Sequence, residues 1–371
     1  MQLDNRTRFQ AERFVAADRD SVEHLVVVVK GTYLIGANGS TRLADEQMPI
    51  HLADEHYGDP GVTSVRYESD CVPSKPQVDV IVIGHAHAPR GRQVRRRDVE
   101  LQVGSVRKRV LVIGDRVWRG WWRFGYWKSI PQPFSKMPLV YERAFGGSDT
   151  SHRNPAKHAS DLRNPFGRGF HEHRSPQGIV GSPLPNLEDP RHRVRRWRSR
   201  PAPIGFGCVP RGSANRIRHA GTYDQAWLDE RFPFLPDDFD TRYYQCAPDD
   251  QQLGELRGGE PVRCIGMTPN GEWRFRVPET EDFPIHVFRR EGHDTLTPRL
   301  DTLVLEPDEG RCSLVWRSSV PVGPKLHDIV RVIVGHMTPG EQRAEQSGKH
   351  YFASVAELVA WQMRVQLEAE R

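Results

Sequence analysis

The chain is organised around DRVWRGWWRFGYWKSIPQPFSKMPLVYERAFGG, residues 115–147. This segment contains four tryptophans followed by three prolines: Trp118, Trp121, Trp122, Trp127, Pro131, Pro133 and Pro138. Because proline fixes φ and removes a hydrogen-bond donor, residues 129–139 can form neither a helix nor a central strand. The many aromatic side chains argue against disorder. The pattern therefore predicts a rigid, irregular crossing over the body of the protein.

The composition bounds the class of protein. Of the 371 residues, 27% are charged and 37% are hydrophobic, as in a globular protein. No apolar run approaches the roughly 20 residues that span a bilayer. The N-terminus, MQLDNRTRFQAERF, has charges where a signal peptide needs an apolar core. We therefore expect a cytoplasmic protein with no membrane partner.

The cysteines bound the redox chemistry. They are five in number and scattered: Cys71, Cys208, Cys246, Cys264 and Cys312. An odd number without a CxxC pair is typical of reduced thiols in a cytoplasm. The spacing argues against a disulfide framework and against a cysteine zinc site.

Strand patterns occupy two parts of the chain, residues 20–128 and 255–338. Runs of β-branched and aromatic residues predict strands at 24–35, 78–87, 99–103, 108–113, 261–267, 273–277, 285–289, 300–305, 312–316 and 329–334. Turn signals at 104–105, 270–271 and 307–310 predict hairpins. Lys30 interrupts the first run, and a lysine in mid-strand usually lies at an edge or pairs with a carboxylate.

Between these parts, residues 129–254 lose all periodicity and are rich in Pro, Gly and Arg. A stretch this long is far beyond ordinary loops, yet aromatic residues continue through it. Thr222 and Gln225 form a T-x-x-Q capping box and predict a short helix over 223–231. The sequence thus predicts a mainly β fold: an antiparallel sandwich or barrel-like scaffold, carrying a large irregular layer, in one domain over residues 1–338.

The tail, residues 339–371, is predicted to be a polar linker followed by an amphipathic helix. Ser354 and Glu357 make a capping box, and one face of the helix is apolar. Its apolar residues are Val355, Leu358, Val359 and Met363. This face is expected to dock on the core, and binding to a partner stays open as the alternative.

No catalytic or cofactor motif assembles from the residues. The chain contains neither a GxSxG nucleophile elbow nor a GxxxxGK[ST] phosphate loop. His85 and His87 would project from one face of a strand and could hold zinc or iron with a third ligand. We therefore expect a protein that is not an enzyme and carries no cofactor, with a metal-dependent hydrolase using these two histidines as the alternative.

Two arginine-rich runs carry much of the net charge of +5, RGRQVRRR at 90–97 and RHRVRRWRSR at 191–200. Such runs indicate an acidic partner, either nucleic acid or an acidic protein surface, or else solvated loops. Neither run adjoins a recognisable nucleic-acid module, so nucleic-acid binding is kept only as an alternative. The residues predicted to bind a protein partner are Trp118, Trp121, Trp122, Phe134, Tyr141, Arg143, Phe145, Arg195, Arg196 and Trp197.

A family resemblance rests on ordered phrases along most of the chain. These include VVVVKGTY at 26–33, SDCVPSKPQVDVIVIGHAHAP at 69–89, KRVLVIGDRVW at 108–118, PFSKMPLVYERAFGG at 133–147, NPFGRGF at 164–170, PNLEDP at 185–190 and LDTLVLEPD at 300–308. From about residue 5 to about residue 317 the chain resembles the bacterial domain-of-unknown-function family 2169. The tail after about residue 340 lies outside this resemblance.

Members of that family look like accessory proteins of the bacterial type VI secretion system. The resemblance implies a cytoplasmic adaptor or chaperone with two partners, a toxic effector and the spike protein at the tip of the secretion tube. The adaptor would bind the effector and help to load it onto the spike. The resemblance implies no catalytic residue.

Overall fold

The structure is a computed structural model that describes residues 1–121, 124–279, 282–290, 292–322, 328–347, 349, 351–352 and 354–369. Strands dominate it, which confirms the prediction of a mainly β fold. Among the described residues, no helix is both long and apolar enough to cross a membrane.

Within the described ranges, the strands of the first part of the chain are β1 (Gln2–Asn5), β2 (Gln10–Ala17), β3 (Glu23–Ile35), β4 (Thr41–Leu43), β5 (Glu55–His56), β6 (Val65–Tyr67), β7 (Val78–Val82), β8 (His85–His87), β9 (Arg96–Val103), β10 (Val106–Ile113), β11 (Trp118–Trp121), β12 (Gly125–Lys128) and β13 (Lys136–Pro138). The later strands are β14 (Phe145–Gly146), β15 (Ser148–Asp149), β16 (Ala159–Ser160), β17 (Arg168–Gly169), β18 (Leu187–Glu188), β19 (Gln252–Leu253), β20 (Pro261–Ile265), β21 (Glu272–Arg276), β22 (Ile285–Arg289), β23 (His293–Leu296), β24 (Arg299–Glu306), β25 (Arg311–Pro321) and β26 (Ile329–Val334). The helices are α1 (Pro176–Ile179), α2 (Ala214–Ile217), α3 (Gln225–Glu230), α4 (Pro339–Gln346) and α5 (Val355–Ala369).

Three sheets form the scaffold. The largest has the strand order β19-β7-β24-β25-β3-β2, with β4 also paired to β3. The second has the order β18-β10-β9-β20-β21, and the third the order β1-β26-β22-β23. Pairing is mostly antiparallel, with parallel contacts between β7 and β24 and between β1 and β26. Each of these sheets ends in two edge strands, so the scaffold is a set of open sheets packed around one core.

The valine run of β3, an inner strand between β2 and β25, is buried on both faces of the sheet because an apolar cluster packs on each face. Leu25, Val27 and Val29 face the main core, whereas Val26 and Val28 pack in a smaller cluster on the opposite face. Burial on both sides explains an uninterrupted apolar run. Lys30 is central and buried, and its Nζ lies 2.9 Å from Asp70 Oδ2, which confirms the expected carboxylate partner.

The irregular layer is held to the largest sheet by buried polar contacts. Asp79 on β7 is fully buried, and its carboxylate accepts hydrogen bonds from Lys75 Nζ at 2.7 Å and Gln245 Nε2 at 2.6 Å. It also accepts hydrogen bonds from the backbone amides of Cys246 and Ala247. Burial alone would lower the pKa of Lys75, but the neighbouring Asp79 carboxylate outweighs it and raises that pKa.

The local predictions for hairpins hold. The turns at Gly104 and Gly310 join β9 to β10 and β24 to β25, and the Asn270-Gly271 turn joins β20 to β21. Gly104, Gly271 and Gly310 have positive φ, the conformation that favours glycine. The predicted strand over 78–87 is instead two strands in different sheets, β7 and β8.

The charged N-terminal segment, which precedes the predicted strand-rich part, forms β1 and β2, and these pair with β26 and β3. Two expectations, one in the layer and one in the tail, were wrong. Helix α3 is capped by Asp224, whose side chain accepts from the Trp227 amide, while Thr222 bonds to Asp238 instead. Part of the predicted polar linker is helix α4, where buried Glu341 accepts from Arg6 at 2.6 Å.

Helix α5 forms where the sequence predicts it, but three residues of its apolar face, Val355, Val359 and Met363, are exposed. The expected docking of this face on the core is therefore wrong for these side chains. The side chain of Glu357, the second member of the predicted capping box, lies outside the description of this helix.

The Asp79 contact predicts a large loss of stability when its charge is removed. In Asp79→Asn the buried Lys75 ammonium loses its carboxylate, and we expect unfolding to require about 3–5 kcal/mol less. Urea unfolding of purified protein measures this difference. The control is Asp98→Asn, where a half-exposed carboxylate pairs with Arg109 at 3.0 Å, and the loss should stay below about 1 kcal/mol. Equal losses in the two variants would contradict an anchoring role for Asp79.

Candidate interaction surface

The most exposed aromatic side chains of the central segment lie on a two-stranded hairpin, β11–β12. Residues directly opposite in an antiparallel pair share a face, and the faces alternate along each strand. Gly120 pairs with Tyr126 and Trp118 with Lys128, which places these four residues on the inner face. Trp121 pairs with Gly125 and Arg119 with Trp127, which places both tryptophans on the outer face.

The outer face and tip of this hairpin are apolar and open to solvent. The exposed fractions are 61% for Trp121, 83% for Phe124, 53% for Trp127 and 71% for Ile130 just after the hairpin. We call these four residues the hairpin surface. Trp121 and Trp127 share one face of the hairpin, and exposed apolar side chains that lie together mark interaction sites more often than isolated ones do.

The inner face and the base fix the hairpin on the protein. Trp118 is buried in a cluster with Phe145, Ile179, Leu184 and Val194. The Trp118 amide donates to the Ser182 carbonyl, and the Ser129 amide donates to the Val117 carbonyl. The hairpin is therefore a projecting element with an ordered base.

Gly120 is required for the tight pairing of the two strands. Its φ is 147°, and a Cβ at this position would lie 2.3 Å from the Gly125 carbonyl oxygen. A side chain here would force the strands apart. The glycine thus allows two tryptophans to sit on adjacent strands of one short ribbon.

The second arginine-rich run lies beside the hairpin. The Trp197 ring contacts the Tyr126 ring edge-on, with centroids 6.4 Å apart, and both rings pack on the Trp118 cluster. Lys128 Nζ donates to the Val194 carbonyl. Arg195 and Arg196 are exposed. Of the predicted set, the structure therefore places Trp121 on the outer face of the hairpin and Trp197, with its exposed neighbours Arg195 and Arg196, beside the inner face.

The other predicted partner-binding residues are not on this surface. Trp118, Phe134, Tyr141 and Phe145 are buried in the core, so their side chains cannot contact a partner directly. A high content of aromatic residues cannot by itself distinguish buried from exposed aromatic side chains, because successive residues of a strand point to opposite faces. Arg143 is partly buried and donates to Asp115 and Asn186. Trp122 lies outside the described residues.

The sequence-based set missed Phe124, Trp127 and Ile130. The sequence does contain a pattern that predicts this hairpin. Two short segments, W-R-G-W at 118–121 and G-Y-W-K at 125–128, contain Gly120 and Gly125 among aromatic residues, as is typical of a hairpin. That register alone puts Trp121 and Trp127 on the same face, whereas packing of the opposite face on the protein makes it the outer one.

The predicted histidine pair converges on one carboxylate. His85 Nδ1 lies 2.6 Å from Asp308 Oδ2, and His87 Nε2 lies 2.6 Å from Asp308 Oδ1. The two rings do share a face, as the spacing predicts. Burial alone would raise the pKa of Asp308, but hydrogen bonds from His85 and His87 outweigh it and lower that pKa to about 2. Since each ring already uses one nitrogen on Asp308, the cluster needs no metal ion to account for its geometry.

A second polar cluster lies beneath the irregular layer. Cys208 Sγ and Cys246 Sγ are 3.7 Å apart, and Glu68 offers an oxygen within 4.8 Å of both. The Glu68 carboxylate accepts from Arg216 and contacts Arg211 at 2.8 Å, and Lys75 Nζ lies 3.8 Å from Cys246 Sγ. A cation here would face three positive charges. We therefore interpret the cluster of Glu68, Cys208 and Cys246 as part of a buried hydrogen-bond network.

The Asp308 cluster gives a pH-dependent contribution to stability. A carboxyl whose folded pKa is lowered stabilises the fold above its unfolded pKa, and this contribution is lost as the pH falls through the folded value. A shift from 3.8 to about 2 corresponds to roughly 2 kcal/mol. We expect Asp308→Asn to be less stable than the native protein at a pH of about 5 and the difference to shrink by about 2 kcal/mol as the pH approaches 2. Urea unfolding at several pH values tests this, and a pH-independent difference would rule out the lowered pKa.

The family is settled by comparison of the whole sequence. The profile of the bacterial family described as "Uncharacterized protein conserved in bacteria", domain of unknown function 2169, matches residues 20–317. No curated protein and no solved structure matches the chain at a significant level. Because the match covers far more than half of the 371 residues, the chain belongs to the bacterial domain-of-unknown-function family 2169.

Proposed function

We propose that this protein is a non-enzymatic adaptor of a bacterial type VI secretion system. It binds a toxic effector in the cytoplasm and helps to load that effector onto the spike protein. The single observation that carries the proposal is the hairpin surface, in which Trp121, Phe124, Trp127 and Ile130 are all more than half exposed. The family resemblance supplies the type of partner.

Physical considerations support a binding role for this surface. Tryptophan and phenylalanine bring a large contact area with few rotatable bonds, so little side-chain entropy is lost on binding. The hairpin base is fixed by the buried Trp118 cluster, which reduces the entropy that the backbone would lose. Aromatic residues of this kind contribute about 2 kcal/mol or more each when they become the centre of an interface.

Removing the outer tryptophans should weaken effector binding while the protein stays folded. We expect the double variant Trp121→Ala/Trp127→Ala to recover at least about 10-fold less effector, because two hot-spot side chains are lost. The measurement is the amount of a type VI effector of the same bacterium that co-purifies with the tagged adaptor when the two are co-expressed. Circular dichroism and urea unfolding report whether the variant is folded.

The matched control is Leu52→Ala/Leu162→Ala, which removes two apolar side chains that are 66% and 68% exposed and lie in other segments. Recovery of effector by this control should match the native protein. If the tryptophan variant also recovers native amounts of effector, the hairpin surface is not the binding site.

The secretion step has its own test. In cells that lack the adaptor gene, the effector should no longer be exported, whereas a structural protein of the secretion tube should still be released. Reintroducing the native adaptor should restore export, and the Trp121→Ala/Trp127→Ala variant should not. Continued export of the effector without the adaptor would contradict a loading function.

A further inference from the structure

The two arginine-rich runs are about a hundred residues apart in sequence, but the first ends, and the strand that leads to the second lies, at one end of the second sheet. On one side of β10, Ile113 pairs with Arg96 and Val112 with Arg97 at the start of β9. On its other side, Val112 pairs with Leu187 of β18. Because neighbouring strands lie about 4.8 Å apart, residues 96–97 and 187–188 flank the same end of β10. Strand β18 leads directly into the run at 191–200.

Positive charge is poorly compensated where the runs meet. Glu188 is buried, and its carboxylate lies 2.6 Å from Arg116 Nη2 and 3.5 Å from Arg193 Nε. Burial lowers the pKa of Lys128, and the nearby Arg116, Arg193 and Arg96 charges lower it further. The Glu188 carboxylate is therefore shared by Arg116, Arg193 and Lys128, and Arg96 adds a further positive charge near Lys128.

Several exposed arginines around the hairpin have no acidic partner. Within the described part of the chain, the side chains of Arg119, Arg195 and Arg196 make neither a hydrogen bond nor an ion pair. Other exposed arginines do have an acidic partner, among them Arg263 with Glu272 at 2.6 Å and Arg109 with Asp98 at 3.0 Å. The region beside the hairpin thus keeps guanidinium groups available to an external anion.

The unpaired arginines lie on both sides of the hairpin. Arg119 lies directly opposite Trp127 on the outer face of the hairpin. On the inner side, Trp197 of the arginine run contacts Tyr126 of the same hairpin, and the Arg198 guanidinium lies over the Trp197 ring at 4.8 Å. A client segment that covers the outer tryptophans therefore meets Arg119 on the same face. It reaches Arg195 and Arg196, which flank Trp197 in the sequence, by continuing around the edge of the two-stranded hairpin.

We propose that this region binds an acidic segment of the client protein, with apolar side chains on the hairpin surface and carboxylates on the unpaired arginines. The inference rests on the proposed adaptor function and adds the chemical class of the partner. Complementary charge speeds encounter and excludes wrong partners, while the aromatic residues provide the anchors.

A protein segment is favoured over nucleic acid by the carboxylates at the rim of the same region. Asp115 at the base of the hairpin is 61% exposed, and the Glu172 carboxylate lies 3.5 Å from Arg200. A continuous phosphate backbone would be repelled by such groups, whereas spaced carboxylates on a peptide can avoid them. The exposed aliphatic Ile130 also suits an apolar side chain better than a nucleobase.

The test uses three fluorescent probes with the full-length protein: a peptide of acidic residues interspersed with leucine and phenylalanine, the same peptide with Gln and Asn in place of the acids, and a single-stranded DNA oligonucleotide. We expect the acidic peptide to bind at least about 10-fold more tightly than its amide counterpart at low salt. Its affinity should fall as the salt concentration rises.

The charge-reversal variant Arg195→Glu/Arg196→Glu should weaken binding of the acidic peptide at least about 10-fold. The control Arg274→Glu/Arg276→Glu makes the same change in net charge on β21, the strand at the opposite edge of the same sheet from β18. That control should change the affinity by less than about 2-fold, because exposed charges beyond the Debye length are screened.

Each other result bears on the inference. Equal binding of the acidic and amide peptides, equal weakening in both charge-reversal variants, or tighter binding of the oligonucleotide would overturn it. If the effector still needs Trp121 and Trp127 but its affinity is insensitive to salt and to Arg195→Glu/Arg196→Glu, this inference fails and the adaptor function stands. If the acidic peptide binds as expected while the effector does not bind, the proposed function fails and the acidic-ligand site stands.

Discussion

The fully buried carboxylate of Asp79 is the contact on which the irregular layer depends. It stands on a central strand of the largest sheet and accepts hydrogen bonds from Lys75, Gln245 and the backbone amides of residues 246 and 247. A segment without regular structure must satisfy its backbone groups in some other way, because unpaired buried amides are costly. Side-chain amides satisfy buried backbone carbonyls elsewhere in the layer. Asn164 donates to the Tyr141 and Phe145 carbonyls. Gln251 donates to the Val80 and Phe206 carbonyls.

The ordered layer explains how a short hairpin can hold aromatic side chains in solvent. Asp115, just before the hairpin, accepts hydrogen bonds from Asn186 and Arg143, and Asn186 also donates to the Ile113 carbonyl at the end of β10. The buried Trp118 continues this connection into the core. A hairpin of two strands is marginal in isolation, so its outer face can remain open only because its inner face is packed.

Charge and apolar surface meet in the same region for a structural reason. The end of β10 gathers Arg96 from one neighbour and the start of the second arginine run from the other, and the hairpin follows β10 directly in the chain. Like charges brought together in this way weaken the fold unless an opposite charge is supplied. Glu188 supplies one negative charge from within, to the buried Arg116 and to Arg193.

The sequence by itself determined the mainly β class, the central valine strand, the hairpin turns and the family, because these depend on local periodicity, on turn residues and on the order of phrases. It also placed His85 and His87 on one face. Which aromatic side chains are buried was decided only by the tertiary structure, since Trp118 and Trp121 differ in strand face and not in local composition. Contacts between segments distant in sequence likewise depend on strand pairing and packing. They include the approach of the two arginine runs to β10, the contact of both histidines with Asp308, and the contact of Cys208 with Cys246. Such contacts form when entire faces of sheets are buried against each other, and a local sequence pattern does not show which faces will pack together.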